Sequence, residues 1–289
     1  MSKKLLLTTL VSVAAIGATA TAADANYSTP DKYGVVSSVF NPAYRPLQND
    51  WALQAGVNFQ TGMNESGSDM TRFQSGDFQV GDVKIAYGIL DELFVSFDVY
   101  QQTFEINPYT GTFMVGAFAN PELGINWQIF RPAKSFALDV IGKYGIAWTR
   151  DAVTGDRIGM NNVQAGARIY GDEGKFQWAV QGLAQLAMTP EGMSDWWNLL
   201  ARAEFEYEIV EKVGLKAEYN FNTYNMSKSN SIPVIYDQIL SLGAVIDVQP
   251  GVAAIQPYVA YHFPTTGSGG MPSMSNNFWQ IGAKFGIQF

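Results

Sequence analysis

The chain has 289 residues, a formal net charge of −8 and no cysteine. Missing thiols exclude disulfides and thiolate metal sites, and an acidic balance without a basic tract offers no surface for nucleic acid. Charged residues are only 15% and aromatics 13%, yet after the first twenty residues no run approaches the apolar length that a spanning helix needs.

Lys3 and Lys4 open the chain, Leu5 to Ala20 is apolar or small, and Ala22 and Ala23 follow Ala18 and Ala20 as small residues. A positive start, a short apolar core and a small-residue boundary predict a secretory signal peptide over residues 1–23, cut between Ala20 and Asp24. The competing reading is a short membrane anchor. Its weakness is the Ala, Thr and Gly content of the run and the lack of a following charge cluster. Loss of Lys3 and Lys4 takes the net charge to −10 and leaves about 265 residues, enough for one large all-β domain. Residues 24–49 hold Pro30, Pro42 and Pro46 and do not alternate; they read as a lead-in or a partial plug.

Residues 50–289 are dominated by alternation of period two, which puts successive side chains on opposite faces of a strand. Leu53, Ala55, Val57 and Phe59 alternate with Gln54, Gly56, Asn58 and Gln60. Weaker segments near 82–89 and 93–102 precede Leu123, Ile125, Trp127 and Ile129, which oppose Gly124, Asn126 and Gln128. Phe136 to Trp148 opposes Asp139 and Lys143; Val163 to Ile169 opposes Gln164 and Arg168; Trp178 to Leu186 opposes Gln177, Gln181 and Gln185. Trp197 to Tyr207 opposes Arg202, Glu204 and Glu206, and Val213 to Phe221 opposes Lys216, Glu218 and Asn220. Two weaker segments, 237–248 and 253–263, lead to a last one ending at Phe289.

The links alternate too. Short turns are expected at Leu90–Glu92, Arg131–Ser135, Gly171–Gly174, Val210–Lys212 and Gln249–Val252, with longer polar loops between them. Aromatics sort by depth: Trp51, Trp127, Trp178, Phe205, Tyr207 and Phe289 near the short-turn ends, Phe59, Trp148, Trp197, Phe221, Tyr261, Phe263 and Trp279 near the others. Two girdles around an apolar band, with short turns at one end, predict an all-β fold, a closed antiparallel transmembrane β-barrel of about twelve strands. A soluble β-protein would also alternate, but has no reason to sort aromatics by depth. Three features depart from a regular barrel: Pro257 inside a strand, read as a bulge; Pro121 interrupting Phe113 to Ile129; and a slip of period between Val80 and Val83, read as the first long loop reaching Asp82.

Ile281, Ala283, Phe285, Ile287 and Phe289 form an alternating apolar series that ends on an aromatic residue. This segment resembles the C-terminal assembly signal of bacterial outer-membrane β-barrel proteins, a porin-like superfamily. The resemblance implies recognition by the barrel assembly machinery, periplasmic chaperones on the way, and outer-membrane lipids as surroundings. Short turns and both termini would then be periplasmic, as would the lead-in or partial plug at 24–49.

The inward polar residues are the functional candidates. Pairing Ile209 with Val213 across the turn sets Glu206 beside Lys216 and Glu204 beside Glu218. Gln181 then falls beside Arg202, and Arg168 near Gln177. The expected patch is Arg168, Gln177, Gln181, Arg202, Glu204, Glu206, Lys216 and Glu218, with Asp139 and Lys143 as a second inward pair. Such a patch could line an aqueous passage for small polar solutes, or its charges could pair and fill a narrow bore. Ile141, Leu183 and Leu200 face the same side, which speaks for partial filling. The acidic mature chain favours cations or neutral solutes. His262, the single histidine, has no adjacent serine of the kind an outer-membrane hydrolase needs and reads as a wall residue. No spacing suits a metal or cofactor. The expected role is a passive channel; a closed adhesive or structural barrel is the alternative, and an embedded hydrolase a more distant one.

Overall fold

The computed structural model describes residues 38–61, 78–99, 102–106, 113–115, 121–147, 161–188, 195–224, 235–263, 265–266 and 278–289. The signal-peptide expectation, residues 24–37, Trp148 and most of the long loops lie outside them. The described elements are β1 (Trp51–Thr61), β2 (Phe78–Leu90), β3 (Leu93–Val99), β4 (Gln102–Ile106), β5 (Phe113–Val115), β6 (Glu122–Ala133), β7 (Phe136–Gly145), β8 (Asn161–Asp172), β9 (Phe176–Met188), β10 (Trp196–Val210), β11 (Val213–Tyr224), β12 (Ile235–Gln249), β13 (Ala253–His262), β14 (Thr265–Thr266) and β15 (Phe278–Gln288).

Twelve of these close a ring of antiparallel neighbours: β1 pairs with both β2 and β15, and the order runs β15-β13-β12-β11-β10-β9-β8-β7-β6-β3-β2. The fold is the closed barrel that the alternation predicted. The short β4 extends the line of β3 along β2, β5 pairs with β4, and β14 with β12. The seam closes at the short-turn rim, where the Trp51 N–H bonds the Phe289 carbonyl (2.7 Å) and the Phe289 N–H bonds the Trp51 carbonyl (2.9 Å).

The barrel is inside out relative to a soluble protein. In β6, Glu122, Gly124, Asn126 and Gln128 point inward, while Leu123, Ile125 and Ile129 are exposed outward and Trp127 is 58% exposed. Leu215, Leu242, Val259, Ile281 and Phe285 continue that outer belt. Each such side chain left in water forgoes about 1.5–3 kcal/mol of burial, so a belt of them requires an apolar surrounding. Trp51, Trp127, Phe205, Tyr207 and Phe289 stand exposed toward the short-turn end, and Trp197 and Trp279 toward the other; Trp178 is half-buried.

The structure revises four local expectations. The slip near Val80–Val83 is a β-bulge, not a loop end: β2 starts at Phe78, and its register on β1 shifts between Gln54 and Gly56. Pro257 causes no bulge, since it stays in register with Ala283. Its missing N–H shows instead as a gap in the β12–β13 ladder, which lacks pairs at Ala244 and Val245; the bulge on that ladder lies between Asp247 and Gln249. At the β10–β11 turn, Val213 pairs with Val210 rather than Ile209, and a shift at Glu208 restores the expected register beyond it. The β8–β9 turn lies two residues further along the chain than the spacing implied, at Glu173–Lys175, and it is tight: the Glu173 N–H bonds the Phe176 carbonyl (2.8 Å). Asp172 pairs with Gln177, the Asp172 carboxylate accepts the Gly174 N–H (2.8 Å), and Gly174 takes the left-handed φ of 79° that a side chain resists.

Residues 38–50 tuck into the short-turn mouth. Val39 and Phe40 are buried against inward-facing Ala52, Ala86, Phe94, Val245 and Ala254. On the other side Ala43 packs on Ala137, Tyr170 and Ala179. The segment therefore touches walls built by β1–β3, β12 and β13 and by β7–β9. Burial, with Asp50 nearby, holds the Tyr44 phenol well above its ordinary range and so neutral.

Candidate functional site: the inner wall

Alternate residues of every stave point inward, so ladder register decides which polar side chains meet. The β10–β11 register pairs Glu206 with Lys216 and Glu204 with Glu218, and the β9–β10 register pairs Gln181 with Arg202, as expected. Arg168 pairs with Gln181, not near Gln177, which instead faces Asp172 and Glu206. Gln177 donates to the Gly174 carbonyl and belongs to the turn.

Three networks result. In the first, near the short-turn mouth, Asp139 is fully buried (0% exposed) and pairs in register with Arg168. Its Oδ1 accepts from the Tyr170 hydroxyl (3.1 Å) and lies 3.5 Å from Arg45 Nη1, which also donates to Tyr170 (3.2 Å). Gln128 donates to the same hydroxyl. Arg168 donates to the Pro42 carbonyl and stacks over the Tyr170 ring, 4.9 Å from its centroid. A buried carboxylate needs partners of this kind. The sequence-based patch therefore missed Arg45 and Tyr170.

The second network separates Lys143 from Asp139. Lys143 Nζ bridges Asp98 (2.8 Å) and Glu122 (3.5 Å), and Gln164 donates to Glu122 and to Asn162 (2.9 Å). The expected Asp139–Lys143 pair is thus divided between two networks.

The third holds most of the expected patch. Arg202 Nε lies 3.0 Å from Glu204 Oε1 and its Nη2 2.8 Å from Glu218 Oε2. Lys216 Nζ lies 2.7 Å from Glu204 Oε2 and also donates to the Phe40 carbonyl. So Lys216 binds the diagonal carboxylate of Glu204, although its register partner is Glu206. Asn220 donates to Glu218 (2.8 Å), and Lys284, which the sequence reading did not single out, reaches Glu218 Oε2 at 4.0 Å from β15. Between the rows of the first and second networks, Ile141 and Leu183 are buried on the inner wall in one register row with Leu200, which is only partly buried.

Elsewhere on the wall, the His262 ring nitrogen Nε2 lies 2.9 Å from the Gln280 amide oxygen. No cluster of His, Cys, Asp and Glu suited to a metal occurs among the described residues.

No protein-family model and no curated protein sequence matches the chain. Among solved structures, an outer membrane channel from Pseudomonas putida F1 superposes with a TM-score of 0.58 at 8% identity, over 88% of this chain and 100% of that one. The NanC porin gives 0.49 at 10% identity over 81% and 98%, and the KdgM porin 0.46 at 9% over 81% and 98%. At such low identity the likeness is one of architecture: this chain has the barrel fold seen in the Pseudomonas outer membrane channel.

Proposed function

We propose that the chain is a passive outer-membrane channel for small polar solutes. The observation that carries this reading is the sidedness of the barrel: an apolar belt outside, charged groups inside, and among the latter Arg202 with 38% of its side chain still open. A bore packed shut by paired charges would leave no such opening. Lipid would meet the belt, and both ends of the barrel's chain, with the short turns, would face the periplasm. Residues 38–50 would partly plug that mouth. His262 serves as a wall residue.

Recording from refolded protein in planar bilayers tests the reading. Discrete conductance steps are expected; a silent, correctly folded barrel would remove the channel and leave the adhesive or structural alternative.

The C-terminal series supports delivery by the barrel assembly machinery, because Ile281, Phe285 and Phe289 all lie on the exposed outer face where a partner can read them before insertion. Phe289→Ala keeps the backbone bonds to Trp51. It should cut the amount of barrel found in outer-membrane fractions while purified chain still refolds in detergent. Equal amounts in the membrane would dismiss the signal.

A further inference from the structure

Whole-chain charge is a poor guide to what a solute meets inside the barrel. The third network holds three cations, Arg202, Lys216 and Lys284, against two carboxylates, Glu204 and Glu218. Glu206 lies one inward position nearer the short-turn rim and is register partner to Lys216, not to Arg202 or Lys284. The charges are also layered. Arg202 and Lys284 keep 38% and 20% of their side chains open, whereas Glu204 and Glu218 keep 12% and 9%, and Lys216 4%. Arg202 and Lys284 come from β10 and β15 yet converge on one oxygen, Oε2 of Glu218. Their heads are therefore neighbours on the open side, with the carboxylates beneath. Lys284 Nζ also stands 5.5 Å from the centroid of the Tyr258 ring. That ring lies along the wall: a Cβ on Gly282 would meet its hydroxyl end at 2.7 Å.

We propose that Arg202 and Lys284 form an oxyanion subsite on the inner wall, floored by Tyr258, and that the channel prefers small anionic solutes. A guanidinium and an ammonium side by side suit an oxyanion, the first through paired N–H groups and the second as a point charge. At contact distance the open cations outweigh carboxylates that lie deeper, and a confined, low-dielectric bore strengthens that difference. The inference rests on the channel reading, because the solute must enter the bore.

The test uses the full chain refolded in planar bilayers across a potassium chloride gradient, with citrate as the probe. The wild type should show a zero-current potential on the anion side and a citrate-dependent block. Arg202→Gln/Lys284→Gln should move the potential toward cations and raise the half-blocking citrate concentration about tenfold, a change equal to the loss of one charge-assisted contact. Arg202→Lys/Lys284→Arg keeps both charges and guards against a folding artefact; it should retain the anion preference. Cation preference in the wild type, or citrate block unchanged in the Gln variant, overturns the subsite while leaving the channel standing. If the wild type conducts nothing, the channel reading fails separately. Calorimetry of citrate binding to the same refolded protein then decides: binding lost in the Gln variant upholds the subsite, and no binding by the wild type refutes it.

Discussion

Gly88→Val in the full chain is expected to expel residues 38–50 from the barrel mouth and to raise single-channel conductance several-fold. A Cβ at position 88 would sit 1.7 Å from the carbonyl oxygen of Leu47 and 2.5 Å from its carbon, with the Pro46 carbonyl oxygen at 3.1 Å. These are backbone atoms, so no change of rotamer relieves the overlap. The docked segment is tied at this point by the Asn49 N–H to the Gly88 carbonyl (2.8 Å) and the Gly88 N–H to the Asp50 carbonyl (3.0 Å). β2 is held by ladders on both sides, to β1 and to β3, whereas residues 38–50 join no strand ladder and are held by side-chain packing and single hydrogen bonds. The segment is the partner that yields. Absence of cysteine from the chain gives a second readout: Ser38→Cys, buried in the docked segment, should resist a water-soluble maleimide in the parent and react in the Gly88→Val background. Unaltered conductance together with an unreactive thiol would show that the segment neither blocks the mouth nor moves.

Lys216→Met should lower the stability of the folded barrel by about 3–5 kcal/mol, the scale for breaking a buried ion pair from one side. The ammonium is the joint of three elements: it lies on the Glu204 carboxylate of β10, it projects from β11, and it donates to the Phe40 carbonyl of the docked segment. Methionine fills similar space but satisfies neither acceptor. Arg202 still compensates Glu204 from the open side, so the lower end of the range is the better expectation. Lys216→Met/Glu204→Gln removes the stranded charge and should recover part of the loss, a non-additive result expected of direct neighbours. Urea unfolding of lipid-reconstituted protein measures both. A single-variant effect below about 1 kcal/mol would place this pair with ordinary solvent-screened ones.

How far the sequence could be read followed from periodicity. A stave has one face toward apolar surroundings and one toward the interior, so Leu123, Ile125 and Trp127 against Gly124, Asn126 and Gln128 declare both the strand and its sides. Register was legible where the turn fell at its expected place. The β10–β11 link set Glu206 opposite Lys216 and Glu204 opposite Glu218, even though the terminal pair involves Val210 and not Ile209. It was lost at β8–β9, where Asp172 and a left-handed Gly174 place the turn two residues later than expected, so Arg168 faces Gln181, four residues further along β9 than Gln177. Nothing periodic marks residues 38–50. Their docking through Arg45 onto Asp139 and Tyr170, and through backbone carbonyls of Phe40 and Pro42 onto Lys216 and Arg168, depends on the three-dimensional wall. Lys284 was overlooked for a related reason: its partner Glu218 lies three staves away, beyond any hairpin pairing.

The handshake between Trp51 and Phe289 has a biogenetic consequence. The first stave waits for the last, so during synthesis the growing sheet keeps two raw edges with unmet amide and carbonyl groups, and no intermediate can zip itself shut. Contacts between the remotest parts of a chain form slowly, and open edges recruit other strands. A molecule built this way depends on being shielded until its final hydrogen bonds are made, and a clipped tail would leave it sticky rather than merely shorter.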